Sequence, residues 1–305
     1  MEQEKLFNDL LEILKNKLIC LHDKSEENPQ NTLRALWHSA YGSHVSAIIA
    51  ERLELPILTL LQIVLLEKSI ESRLLGMPLA HLTERQHFMG MDFIVNKGLY
   101  IPRKETELLA KTAIDTITAD FASEQDAIVI DLCSGIGTIA LAIANYCSNT
   151  RVYGSDIFEP AIEAARLNAK HFCLNERAAF FNADMFDHFE SLSLKNQTKI
   201  IVSAPPYISS VKVKQMAPEI ANHEPQEAFD AGPYGLSIFS RLIAIAPEYL
   251  CDNGYLIFEC GLGQGEFLAN RISMNEQYED ITRICDENGN VRVIKAKKNK
   301  RFSEK

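Results

Sequence analysis

The chain has 305 residues, 47% of them hydrophobic and 24% charged. That composition is too apolar for a disordered chain, and the length allows two domains of ordinary size. With 41 acidic against 31 basic residues the net charge is −10, which excludes a protein that coats nucleic acid through a surplus of Lys and Arg.

In chain order, Leu6, Leu10, Leu11, Leu14 and Leu18 recur at helical spacing and predict an opening amphipathic helix. The segment Met1 to Lys17 is charged throughout and lacks the apolar centre of a signal peptide, so a cytoplasmic location is expected. Ser25 to Asn31 reads as a polar loop. Trp37 to Arg52 and Pro56 to Leu75 read as two further helices, with Pro56 in a first turn. The apolar stretch Leu55 to Leu66 is broken by Pro56 and Gln62 and is too short to span a bilayer, so no membrane partner is expected. Residues 1–84 are therefore expected to form a helical domain. In 85–101, Phe88, Phe93, Val95 and Tyr100 alternate with polar or small residues around Gly90 and Gly98, which predicts a β-hairpin linker.

Residues 102–305 open with a helix rich in Leu and Ala. Strands and helices then alternate, with strands predicted at 128–132, 152–155, 179–182, 200–203 and 255–259. A last pair, 281–285 and 291–296, flanks the turn Glu287-Asn288-Gly289. Near-continuous apolar strands separated by helices predict an α/β fold: a mostly parallel sheet covered on both faces, closed by an antiparallel C-terminal hairpin. The seven cysteines are scattered and form no C-x-x-C pair, and the eight histidines show no metal-ligand spacing. Reduced thiols and no metal site are expected.

The chemistry concentrates at the ends of the predicted strands. Asp131-Leu-Cys133-Ser134-Gly135-Ile136-Gly137-Thr-Ile-Ala140 follows one strand and opens a helix, so its glycines let backbone N–H groups approach a ligand closely. Asp156, at the end of the next strand, can accept hydrogen bonds from both ribose hydroxyls. A nucleoside is thus expected. The same loop also fits the dinucleotide fingerprint, but three features favour S-adenosylmethionine. Asp131 would repel a pyrophosphate and suits a cation. Asp184 ends the third strand, where it can meet an adenine amino group. Ser203-Ala204-Pro205-Pro206-Tyr207 has no role in hydride transfer.

The order Asp131-x-x-x-Gly135-x-Gly137, Asp156, Asn182-Ala183-Asp184, Pro205-Pro206-Tyr207 resembles the HemK-type protein-(glutamine-N5) methyltransferases. The resemblance extends over nearly the whole chain. It includes Gly76-Met-Pro-Leu-Ala-His-Leu82, Phe88-x-Gly90-x-x-Phe93, Ile101-Pro-Arg103-Lys-Glu105-Thr-Glu107, Glu224-Pro225 with Gly235-Leu236, and Gly289-Asn-Val-Arg292-Val. It implies a class I, Rossmann-like catalytic domain over 102–305 that uses S-adenosylmethionine. The cofactor would be held by Asp131, Cys133, Ser134, Gly135, Ile136, Gly137, Asp156, Asp184 and Met185, with Ala204 beside it; Phe88 either covers it from the hairpin or packs in the core. Cys133 stands where that family commonly has Gly. The acceptor would lie against Ala204, Pro205, Pro206 and Tyr207. In that family the acceptor is the Gln of the Gly-Gly-Gln motif in peptide chain release factors, or a Gln of a ribosomal protein, and the N-terminal helices would recognise this partner.

One position departs from the family pattern. Ala204 stands where the motif has Asn, whose side-chain oxygen helps to hold the amide N–H groups of the acceptor. Three readings stay open: an acceptor other than an amide, such as a small-molecule amine; a change that slows an ordinary enzyme; or a cofactor-binding paralogue with little turnover. Adenine methylation in nucleic acid also uses a Pro-Pro-Tyr loop, but the acidic charge weighs against it and no stable DNA binding is expected. Arg103, Glu105 and Glu107 are expected to fix the interdomain helix, and Glu259 is either a wall of the site or a plain strand-end acid. The basic tail Lys295, Lys297, Lys298, Lys300 and Arg301 is either a solvated terminus or a contact for RNA phosphates.

Overall fold

The apolar stripe of the first helix, Glu2–Lys17, buries Leu10 and Leu14 against Leu33, Leu36, Trp37, Leu66 and Ile70. These contacts come from a computed structural model, which describes residues 2–21 and 24–300. Arg301 of the basic tail lies outside the described residues. The chain divides into two compact units, Met1–Lys104 with Met216–Pro225, and Glu105–Gln215 with Gln226–Lys305.

Two helices of the first unit depart from the sequence reading, for local reasons. The segment expected as a loop ends in a helix start: Asn28 caps Pro29–Tyr41 by accepting the Asn31 N–H at 2.9 Å. That helix does not run on to Arg52. Gly42, at φ +99°, ends it in the left-handed conformation, and a single turn, Ala47–Ala50, follows. The next helix begins at Leu60 rather than Pro56, because Thr59 and Gln62 form a reciprocal capping box. The Pro56 carbonyl instead accepts the Trp37 indole N–H at 2.8 Å. The hairpin joins this unit and does not stand apart as a linker. Its strands β1 (Arg85–Phe88) and β2 (Met91–Ile94) are antiparallel, and both turn residues, Met89 and Gly90, have positive φ. The first unit also contains Met216–Pro225, which interrupts the second unit in sequence. Within it Glu224 accepts from the Ile101 N–H at 2.9 Å and from Arg103.

The second unit holds a seven-stranded sheet: β3 (Ala127–Leu132), β4 (Thr150–Asp156), β5 (Ala178–Asn182), β6 (Thr198–Ser203), β7 (Leu250–Glu259), β8 (Tyr278–Cys285) and β9 (Val291–Lys298). The strand order is β5-β4-β3-β6-β7-β9-β8. Pairing is parallel from β5 through β7 and antiparallel in the two ladders made by β9, as the sequence predicts. The helices Glu107–Asp120, Thr138–Tyr146 and Glu159–His171 pack on the sheet, as do Ser237–Tyr249 and Gly265–Ser273. One core layer joins Leu132, Phe239, Leu242, Leu256, Phe258 and Ile294. The chain winds outward from β3 to β5 and then returns to β6 on the other side of β3. The carboxyl ends of β3 and β6 therefore flank the point where strand order reverses, where α/β sheets open a crevice for ligands.

Candidate active site

The loop after β3 is shaped by backbone sterics. Cys133, Gly135 and Gly137 all have positive φ (59°, 52° and 83°), so the chain doubles back tightly before the helix Thr138–Tyr146. A Cβ on Gly137 would lie 2.8 Å from the Phe180 ring, whereas one on Gly135 would meet nothing within 4 Å. The first glycine admits a ligand, and the second admits a helix against the sheet. Ile136 is buried, and its carbonyl accepts Asn168 Nδ2 at 3.2 Å. Ser134 is tied by its N–H to the Ser155 carbonyl at 2.9 Å, and its buried hydroxyl has no hydrogen-bond partner.

Two acids converge on this loop. Asp156 accepts the Gly135 N–H through Oδ2 and the Phe158 N–H through Oδ1, each at 2.9 Å. Burial nonetheless pushes its carboxyl above the usual range, against the pull of the Phe158, Gly135 and Ile157 N–H groups. A carboxylate has about four lone-pair directions, so with the backbone N–H groups on it room remains for a ribose hydroxyl. Asp131 is fully buried at the end of β3. Its Oδ2 accepts the Ala140 N–H at 3.0 Å and its Oδ1 accepts nothing. Burial pushes this carboxyl up to about 8; the Ala140 N–H opposes the shift and the nearby Asp156 adds to it. The Cys133 thiol is likewise pushed up, by burial first and then by Asp156 and Asp131, which makes it an unreactive neighbour.

On the other side of the switch point, Leu132 pairs with Ser203, whose hydroxyl donates to the Leu132 carbonyl at 2.8 Å. This bond fixes the strand end from which Ala204-Pro205-Pro206-Tyr207 departs, next to the glycine loop. The Tyr207 hydroxyl donates to Glu259 Oε1 at 3.1 Å.

Three of the expected cofactor residues have other surroundings. Asp184 lies beyond the end of β5 in an ion pair with Arg241 at 3.0 Å. Met185, at φ +50°, is buried in the core beside Leu132 and Phe186, and its carbonyl accepts the Ser155 hydroxyl at 2.7 Å. Phe88 belongs to the first unit, where it is fully buried and meets Phe93 edge-on with ring centroids 6.3 Å apart. Core packing accounts for both apolar side chains.

Residues 106–232 match the family model described as the methyltransferase small domain. The chain is 34% identical over 221 residues to the release factor glutamine methyltransferase of Fusobacterium nucleatum, spanning 72% of this chain and 60% of that one. It is 31% identical over 212 residues to the enzyme of the same name from Clostridium acetobutylicum, spanning 70% of this chain and 72% of that one. The chain belongs to the release factor glutamine methyltransferase family. A crystal structure described as a release factor-specific protein-(glutamine-N5) methyltransferase from Alicyclobacillus acidocaldarius is 23% identical, with 65% of this chain and 94% of that one covered and a TM-score of 0.39.

The glutamine methyltransferase family has a class I methyltransferase fold, and in this member Glu259 proves to be part of the Tyr207 environment. Arg292, from the closing signature, reaches the same Glu259 oxygen at 3.3 Å. Sequence reading missed Arg241 and Gln264. A helix-surface Arg and a Gln in a glycine-rich turn carry no pattern of their own; only the tertiary structure brings them to Asp184 and Tyr207. Among the described residues no helix is long and apolar enough to cross a membrane.

Proposed function

We propose that the chain transfers the methyl group of S-adenosylmethionine to the side-chain nitrogen of a glutamine, that of the Gly-Gly-Gln motif in a peptide chain release factor. The observation that carries this reading is the pairing of Leu132 with Ser203, which sets a glycine loop beside a Pro-Pro-Tyr loop at one switch point. The residues present fit the cofactor. The buried, unpartnered Asp131 Oδ1 and Ser134 hydroxyl want a polar ligand, and Asp156 keeps lone pairs for a ribose.

When bound, S-adenosylmethionine supplies a sulfonium methyl already activated for in-line displacement. The protein has to position the acceptor and exclude water. An amide nitrogen is a poor nucleophile because its lone pair is delocalised into the carbonyl. The backbone carbonyls of the 204–206 segment can take one N–H and turn the lone pair toward the methyl group, while Tyr207 walls the acceptor side. Ala204 offers no side-chain oxygen for the second N–H. One missing hydrogen bond to a positioned group costs about 1–3 kcal/mol, or roughly 5- to 150-fold in rate.

The test is transfer of isotope-labelled methyl to a Gly-Gly-Gln release factor, with the modified residue located by mass spectrometry. Label should appear on that glutamine, and Ala204→Asn should raise the rate roughly 5- to 150-fold. Absence of label with both proteins ends this reading. Ala204 itself favours a second one, in which a small amine with a free lone pair replaces the amide. Label on such an amine, with none on the factor and no gain from Ala204→Asn, would select it.

A further inference from the structure

Tyr207 is gripped at both ends by one turn of chain. Its hydroxyl donates to Glu259 Oε1 at 3.1 Å, and its backbone carbonyl accepts Gln264 Nε2 at 3.0 Å. Between these two residues Gly261 lies against the ring, where a Cβ would come 2.9 Å from Tyr207 Cδ2. The Gln264 side chain is itself fixed, its Oε1 accepting the Gly261 N–H at 2.9 Å. Beside Gln264, Gly235 closes on the tyrosine backbone: a Cβ there would lie 2.5 Å from the Tyr207 carbonyl oxygen. Three residues of the segment Glu259-Cys-Gly261-Leu-Gly-Gln264 thus meet one residue, at its hydroxyl, its ring and its carbonyl.

The electrostatics agree. Glu259 is 3% exposed, and burial pushes its carboxyl above the usual range while Thr106, Arg292 and the Tyr207 hydroxyl pull it back. A buried carboxylate is costly unless paired, and Arg292 from β9 supplies the pair at 3.3 Å. The phenol and the guanidinium converge on the same oxygen, Glu259 Oε1, so the ion pair and the tyrosine are held together. β7 runs parallel to β6, with Phe258 opposite Ser203, so Glu259 and Ala204 leave the sheet side by side. The grip therefore acts on the loop that carries the acceptor wall.

We propose that the Glu259–Gln264 turn, braced by Arg292, is a cradle that fixes Tyr207, and that Glu259, Gln264 and Arg292 are positioning residues for methyl transfer. This rests on the reading of 204–207 as the acceptor loop. Freed at either end, Tyr207 swings, and the acceptor nitrogen is held less often in line with the methyl group. The loss falls on turnover rather than on cofactor binding.

The test compares Tyr207→Phe, Glu259→Gln and their double variant in the full chain, with Ala204→Asn as a second background to raise the signal. Rates are measured on a Gly-Gly-Gln release factor, and S-adenosylmethionine affinity by calorimetry. Each single change should lower kcat about tenfold, as expected for one charge-assisted hydrogen bond, with cofactor affinity within about twofold. The double variant should be no slower than the slower single one, because both remove the same contact. Gln264→Ala, which leaves the buried ion pair intact, should lower kcat in the same way and guards against a folding defect in Glu259→Gln. Multiplying effects in the double variant, an unchanged kcat, or a lost cofactor site would each overturn the proposal. A readout free of turnover is the ring-carbon NMR signal of Tyr207, identified by its absence in Tyr207→Phe. Glu259→Gln should move it, and an unmoved signal overturns the cradle. If neither background labels the factor, the reading of the acceptor is what fails, while the NMR comparison still decides whether Glu259 holds Tyr207.

Discussion

Asp131 has two oxygens in unequal surroundings: one accepts the Ala140 N–H, and the other accepts nothing. In the ligand-free protein burial holds the carboxyl near 8, so at neutral pH it keeps its proton. A cation placed beside Oδ1 favours the ionised form. Binding of S-adenosylmethionine is therefore expected to release a proton at pH 7 and to tighten as pH rises toward about 8, then level off. Calorimetry in buffers of different ionisation enthalpy measures this; a flat profile would show that Asp131 does not meet the cation. Ligand-free stability runs the other way. The unfolded acid loses its proton near 4 and the folded one near 8, so the folded state binds more protons between them and stability falls as pH rises through that window. Asp131→Asn should abolish that fall, raising the ligand-free Tm at pH 8 while weakening cofactor binding roughly tenfold or more. The glycine loop gives a second contrast. Gly137→Ala faces both φ +83° and the Phe180 ring at 2.8 Å, and should cost about 2–4 kcal/mol in urea unfolding. Gly135→Ala meets open space and should cost only the backbone strain, about 1 kcal/mol.

At the scale of elements, the strands were the most readable part of the chain. Buried parallel strands are apolar runs with polar ends, so the five predicted ones lie inside the observed ones, and Gly289, at φ +80°, marks the C-terminal turn in sequence and structure alike. The helices of the first unit were less readable because their ends are set by capping bonds. Asn28-Pro29 signals a turn as well as a helix start, and only the Asn31 N–H on the Asn28 side chain decides between them. The Thr59-x-x-Gln62 box outweighs the Pro56 signal for the same reason. Asn28→Ala and Thr59→Ala should each destabilise the protein by about 1 kcal/mol, read as a shift in the denaturant midpoint at constant slope. In the candidate site, the placement of the glycines, Asp131 and Asp156 at strand ends was legible because loop geometry and strand-end position are local. The neutral state of Asp131 and the partners of Asp184, Tyr207 and Glu259 were not, since burial and cross-strand register belong to no single segment.

At the scale of the whole molecule, the chain leaves the second unit after Gln215 and returns at Gln226, and the segment between them is built into the first. Beside the bonds of Glu224 to Ile101 and Arg103, a quartet of buried charges holds it there. Glu219 receives Lys24 Nζ at 3.1 Å and an Arg73 guanidinium nitrogen at 2.8 Å, while Arg73 also reaches Glu27 at 3.0 Å. All four side chains are at most 10% exposed. Two cations and two carboxylates balance, so the set is tolerable in a low dielectric only as a whole. Removing one member strands the others: Glu219→Ala leaves Lys24 and Arg73 short of a partner and should cost about 3–5 kcal/mol. Since domains are typically stable by only about 5–15 kcal/mol, this change should bring the first unit near its unfolding threshold. Glu219→Gln keeps the acceptor oxygen and should cost less. Hydrogen exchange on the full chain distinguishes the units: in Glu219→Ala, amides of 216–225 should lose protection together with those around Arg73, at the end of the helix Leu60–Leu74, while β3 and β6 stay protected. If 216–225 kept its protection, or lost it in step with the sheet, the segment would belong to the second unit energetically, and the quartet would not be its anchor.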